Sequence, residues 1–79
     1  MTNPEKYDEL FIQNFRVDKS VLNTDFTIEL VENWDSMAQM QLVAELEDAF
    51  GIMLDTDDIL ELTSYDKGKI ILKKYNIEI

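Results

Sequence analysis

The chain has 79 residues, with 17 acidic and 7 basic side chains, a net charge of −10, no cysteine and no histidine. The missing cysteines argue against a disulfide framework or thiolate metal site, and the missing histidines against a hydrolytic triad or zinc centre. So acidic a surface repels nucleic acid and anionic membranes and attracts basic partners. A chain this short buries only roughly 60% of the surface its unfolded form exposes, which leaves room for one small domain, residues 1–79, and a shallow core. No apolar run approaches the length of a membrane span. The N-terminus lacks the basic-then-apolar order of a signal peptide, so a cytoplasmic protein is expected.

In chain order, Asn3 followed by Pro4 predicts a capped helix from about Pro4 to Phe15, with Tyr7, Leu10, Phe11 and Phe15 as its apolar stripe. Residues 16–34 have no sustained period. Their apolar content suggests a connection that wraps the molecule and packs through Leu22, Phe26 and Leu30, with a short strand at Phe26–Val31 as the competing expectation. Ser36–Phe50 is the clearest helix: Asp35 can cap it, Leu42, Val43, Leu46, Ala49 and Phe50 form one apolar face, and Gly51 can end it. Met37, Met40 and Ala44 form a neighbouring stripe beside Glu45, Glu47 and Asp48. That stripe reads either as broadened core or as an adaptable docking surface.

Asp55-Thr56-Asp57-Asp58 signals a short helix through about Leu60. Thr63 or Ser64 then caps a last helix through about Tyr75, with Tyr65, Ile70, Ile71 and Tyr75 inward. Gly68 within it costs about 1 kcal/mol relative to alanine. The fold class is therefore all-α, a four-helix bundle of three main helices and one short one, with a long first connection. Asp55 to Asp66 superficially matches a calcium loop. It fails with Ile59 at the fifth position, Leu60 where glycine is needed and Asp66 at the twelfth, so no metal site is expected.

Asp35-Ser36-Met37, Met40, Leu42-Val43, Leu46-Glu47, Phe50-Gly51-Ile52 and Leu62-Thr63-Ser64 together resemble the acyl carrier protein family. The resemblance covers about Leu22 to Leu72. It implies a non-enzymatic carrier whose serine, here Ser36, receives 4′-phosphopantetheine from coenzyme A through a phosphopantetheinyl transferase. Acyl groups would then ride as thioesters on the arm, as in fatty acid biosynthesis. It also implies a monomer that meets acyl-loading and acyl-transferring enzymes, through their basic patches, along the second helix. Met37, Met40, Gln41, Ala44, Glu47 and Asp48 are the expected contacts, and Asp35 is the cap and a possible handle for the transferase. Trp34 before Asp-Ser, Met37 in place of leucine, and Gln39 and Gln41 in place of acids depart from the common family pattern, and the run Asp35-Ser36-Met37-Ala38 with Met40-Gln41-Leu42-Val43 looks closer to D-alanyl and other specialised stand-alone carriers. If a cargo is sheltered inside, the cavity should lie among Leu42, Leu46, Ile59, Leu62 and Ile71. The rival of another class is an unmodified acidic helical interaction domain.

Overall fold

The computed structural model describes residues 2–79. Its first helix, α1 (Asn3–Phe15), starts one residue earlier than the Asn3-Pro4 pair suggests, because Thr2 is the cap. The Thr2 hydroxyl accepts the Glu5 N–H at 3.3 Å, and Glu5 Oε1 accepts the Thr2 N–H at 3.1 Å. Glu5 decides between the candidates: only with Thr2 as cap does an acid fall three residues on, where it can return the bond. Those bonds from Thr2 hold the Glu5 carboxyl below its ordinary range. Arg16 closes α1 in the left-handed region, at φ 54°, and its N–H donates to the Ile12 carbonyl.

The core is largely aromatic. Phe11 of α1 has its ring centroid 4.9 Å from Tyr7, 5.8 Å from Phe15, 5.8 Å from Phe26, 5.9 Å from Trp34 and 5.4 Å from Tyr65. Tilted and edge-on contacts at these separations add to simple burial. α2 (Ser36–Phe50) packs against α1 and supplies Leu42, Val43 and Leu46 to the same core. Asn14 of α1 also donates to Glu45 of α2 at 2.7 Å. Gly51 ends α2 in a left-handed turn at φ 63°, as its position suggests.

Residues 16–34 wrap the bundle, with one 3-10 turn at Lys19–Val21. Phe26 is buried and Leu22 half-buried, but Leu30 is 68% exposed and does not pack. The Thr27 carbonyl accepts the N–H groups of both Leu30 and Val31, and this tight turn leaves Leu30 outside while Val31 is half-buried. The strand alternative shrinks to an isolated bridge between Thr27 and Ser64. Ile28 N–H donates to the Thr63 carbonyl at 2.8 Å and Tyr65 N–H to the Phe26 carbonyl at 2.9 Å, fastening the connection to the start of the last helix.

α3 (Thr56–Glu61) is short, and its Asp58 is buried. Lys74 Nζ pairs with one Asp58 oxygen, and Tyr75 Oη donates to the other at 2.6 Å. The bonds from Lys74 and Tyr75 hold the Asp58 carboxyl below its ordinary range. α4 (Tyr65–Lys74) buries Tyr65, Gly68, Ile71 and Leu72. Ile70, expected inward, is 59% exposed because it lies off that stripe. Ser64 caps the helix, accepting the Lys67 N–H at 2.9 Å.

Gly68 is more than a helix weakness. A β-carbon there would overlap the Tyr7 hydroxyl and stand 3.1 Å from Leu62 Cδ1. Tyr7 Oη uses that space to donate to the Tyr65 carbonyl at 2.6 Å. Gly68→Ala should therefore lower stability by about 1–3 kcal/mol in urea denaturation, the overlap outweighing the roughly 1 kcal/mol of helix propensity gained. In a Tyr7→Phe background the same substitution should cost markedly less. Equal costs in both backgrounds would refute the clash.

A carboxyl whose folded pKa is depressed stabilises the fold above its unfolded pKa, and that contribution fades as pH falls through the folded value. Asp58→Asn should therefore be less stable than wild type at pH 7, with a shallower loss of stability on acidification. Parallel acid limbs in urea titrations would show that Asp58 adds no such linkage.

Candidate functional site

The site begins with a contrast between neighbouring residues. Trp34 is buried among Phe11, Phe15 and Phe26, whereas Asp35 and Ser36 are exposed. Asp35 caps α2 from extended backbone. Its Oδ1 accepts the Ala38 N–H at 2.9 Å and its carbonyl the Gln39 N–H at 2.9 Å. Loss of such a cap costs ~1 kcal/mol. Of the first-turn N–H groups that a helix leaves without partners, those of Ser36 and Met37 remain open among the described residues.

Ser36 is thus an exposed hydroxyl at the first position of a 15-residue helix. Open N–H groups and the positive end of the helix dipole favour negative charge there. An appendage joined through a phosphodiester fits this setting. The chain's other serines differ: Ser64 is buried and occupied as the α4 cap, and Ser20 is exposed but sits in the 3-10 turn, away from any long helix start.

Gln39, one turn into α2, makes the connections that hold this end in place. Its Oε1 accepts the Trp34 indole N–H at 2.7 Å. Its Nε2 donates to the carbonyls of Ile59 and Leu62, each at 3.0 Å. One side chain therefore ties the start of α2 to the residue before its cap and to the end of α3. Leaving such groups unpaired costs about 1–3 kcal/mol for each that water cannot reach. Beside Ser36 lies a surface groove of about 330 Å³, whose walls include Ile28, Trp34, Gln39, Ile59, Leu60 and Leu62. In the sequence Gln39 stands out only as a glutamine in place of an acid. The signal was its spacing: 39, 42, 43 and 46 share one helical face, so a polar side chain there is aimed at the core.

Of the expected partner contacts, Met37 is 75% and Met40 65% exposed, and Gln41, Ala44 and Asp48 are exposed as well. Helical spacing puts these five along one side of α2. Glu47 is different: half-buried, with Oε2 accepting the Leu54 N–H at 2.8 Å, it braces the loop after α2. Nothing in the sequence marked it apart from Asp48, because its partner is a backbone group in a loop. Among the described residues, no group of three or more acidic side chains could hold a metal ion, and no helix is long and apolar enough to cross a membrane.

A family model described as a phosphopantetheine attachment site matches residues 9–67, which is most of the chain and spans all of the geometry above. Domains of that family bear 4′-phosphopantetheine covalently. Searches of curated proteins and of solved structures find no match.

Proposed function

The chain belongs to the phosphopantetheine attachment-site family, and on that premise we propose that Ser36 Oγ is the atom to which its 4′-phosphopantetheine is joined. The observation that carries the assignment is the exposed hydroxyl at the start of α2, beside open N–H groups. The arm supplies a terminal thiol that holds cargo as a thioester. Ser36 provides the point of attachment, Asp35 keeps the helix start in shape, and the first-turn N–H groups favour the phosphodiester's charge. A surface serine with no histidine in the chain has no base to activate it, so the phosphopantetheinyl transferase must take the hydroxyl proton.

The protein then acts as an acyl carrier, delivering acyl or related groups to partner enzymes. The second reading is a D-alanyl or other aminoacyl carrier of a specialised pathway, favoured by the run Asp35-Ser36-Met37-Ala38 with Met40-Gln41-Leu42-Val43 around the attachment point. Partner enzymes dock along Met37, Met40, Gln41, Ala44 and Asp48, where exposed thioethers offer adaptable apolar contact and the acid meets a basic patch. Glu47 supports that face by holding the following loop.

Incubation with coenzyme A and a broad-specificity transferase, followed by intact-mass measurement, should show a gain of one phosphopantetheine. Ser36→Ala should show none while keeping its stability within about 0.5 kcal/mol, as an exposed position allows. Ser20→Ala should be loaded normally. A gain that persists in Ser36→Ala would overturn the assignment.

Asp48→Lys should slow association with the transferase several-fold, with little change in dissociation, and the difference should shrink as salt rises. Unchanged association rates in stopped-flow mixing would place the docking face elsewhere.

A further inference from the structure

From the contacts of Gln39 we infer that this carrier keeps its cargo outside the bundle, and that its cargo class is short or polar acyl groups, aminoacyl groups included, rather than long alkyl chains. The inference rests on Ser36 being the attachment point. A chain leaving Ser36 for the interior would have to pass between the first turn of α2 and the end of α3, toward Leu42, Leu46, Ile59, Leu62 and Ile71. Gln39 closes that passage. Its amide is bonded at three points, to the Trp34 indole and to the carbonyls of Ile59 and Leu62.

Behind Gln39 the side chains are shielded from solvent. Leu42 is 0%, Leu46 1% and Leu62 1% exposed, and all three belong to one continuous core with the aromatic cluster. Trp34 and Leu62 belong both to that cluster and to the wall of the groove beside Ser36, so the groove is backed by core side chains. Entry would require Gln39 to surrender all three bonds and a packed interior to dilate, which close-packed cores resist. Outside the bundle a long alkyl chain would find apolar cover along the groove beside Ser36 and leave the rest of its surface in water, an unfavourable state that a short or polar group avoids. Gln39 is accordingly a residue that sets cargo class through Trp34 and α3. It is not a catalytic residue.

The test loads the full chain from acetyl-, butyryl-, octanoyl- and dodecanoyl-coenzyme A with the transferase and confirms each product by intact mass. Melting temperature and Trp34 fluorescence are then recorded; Trp34 is the only tryptophan and reports directly on the passage. Wild type should melt at the same temperature across the series, with an unshifted emission maximum. Burial of each pair of methylenes would instead raise the melting temperature by roughly 5 °C or more in a domain of this size. A stepwise rise with chain length, or an emission shift confined to the longer chains, overturns the inference. Gln39→Ala should leave the acetyl and butyryl forms unshifted but acquire chain-length dependence for octanoyl and dodecanoyl. If that variant is too unstable to read, Gln39→Glu, which keeps the acceptor for Trp34 and loses both donors, takes its place. Chain-length independence in the readable variant would overturn the role of Gln39. Products that never gain mass overturn the attachment at Ser36, and this inference with it, and are told apart from the other outcomes at the weighing step.

Discussion

Trp34 packs its ring against Phe11, Phe15 and Phe26 with centroids 5.9, 5.0 and 5.9 Å away, and the position of everything at the start of α2 depends on that burial. An indole that is 4% exposed must still satisfy its N–H, and it does so on Gln39, one turn into the helix it precedes. Between these two anchors stand Asp35 and Ser36. The chain there cannot slide by a residue without either exposing the indole or stranding its N–H. The exposed serine is held still because the residues on both sides of it are buried or bonded.

In the second half of the molecule polar contacts reinforce the buried Leu54, Leu62, Ile71 and Leu72. α3 has six residues, too few to stand without tertiary support. Asp58 inserts beneath it to meet Lys74 and Tyr75, Tyr75 Oη also accepts the Asp55 N–H at 3.0 Å, and Gln39 takes carbonyls at its far end. A buried carboxylate is favourable only with such partners, because desolvation alone would drive it neutral. The acidic composition therefore has two parts. Most carboxylates are solvated and shape the field that a basic partner meets, while Asp58, Glu45 and Glu47 brace the fold.

Close approach between α1 and α4 is set by a different device. Tyr7 donates to the Tyr65 carbonyl across the space that Gly68 leaves open, and burial pushes the Tyr7 hydroxyl well above the ordinary tyrosine range. Tyr65 in turn donates to Asp8, and Lys69 lies over its ring, 4.5 Å from the centroid. A propensity scale records Gly68 only as a weak helix residue. Its role appears once a second helix is placed against it.

Local rules settled much of this protein from the sequence. The Asp35 cap, the apolar face of Leu42, Val43 and Leu46, and the left-handed stop at Gly51 depend on neighbours within a turn or two, and each stands where its spacing put it. The Asp-Ser pattern with the apolar spacing behind it also carried the family, which the match over residues 9–67 bears out. What required the folded chain involves partners far apart in sequence: Trp34 as core, Gln39 as the tie to α3, Asp58 with Lys74, Glu47 with the Leu54 N–H, and Gly68 under Tyr7. Leu30 and Ile70 were misplaced because hydrophobicity alone cannot say which way a turn or an off-stripe helical position faces. Periodicity encodes which face of an element is apolar. Which polar group waits on the opposite element is decided only when the elements pack.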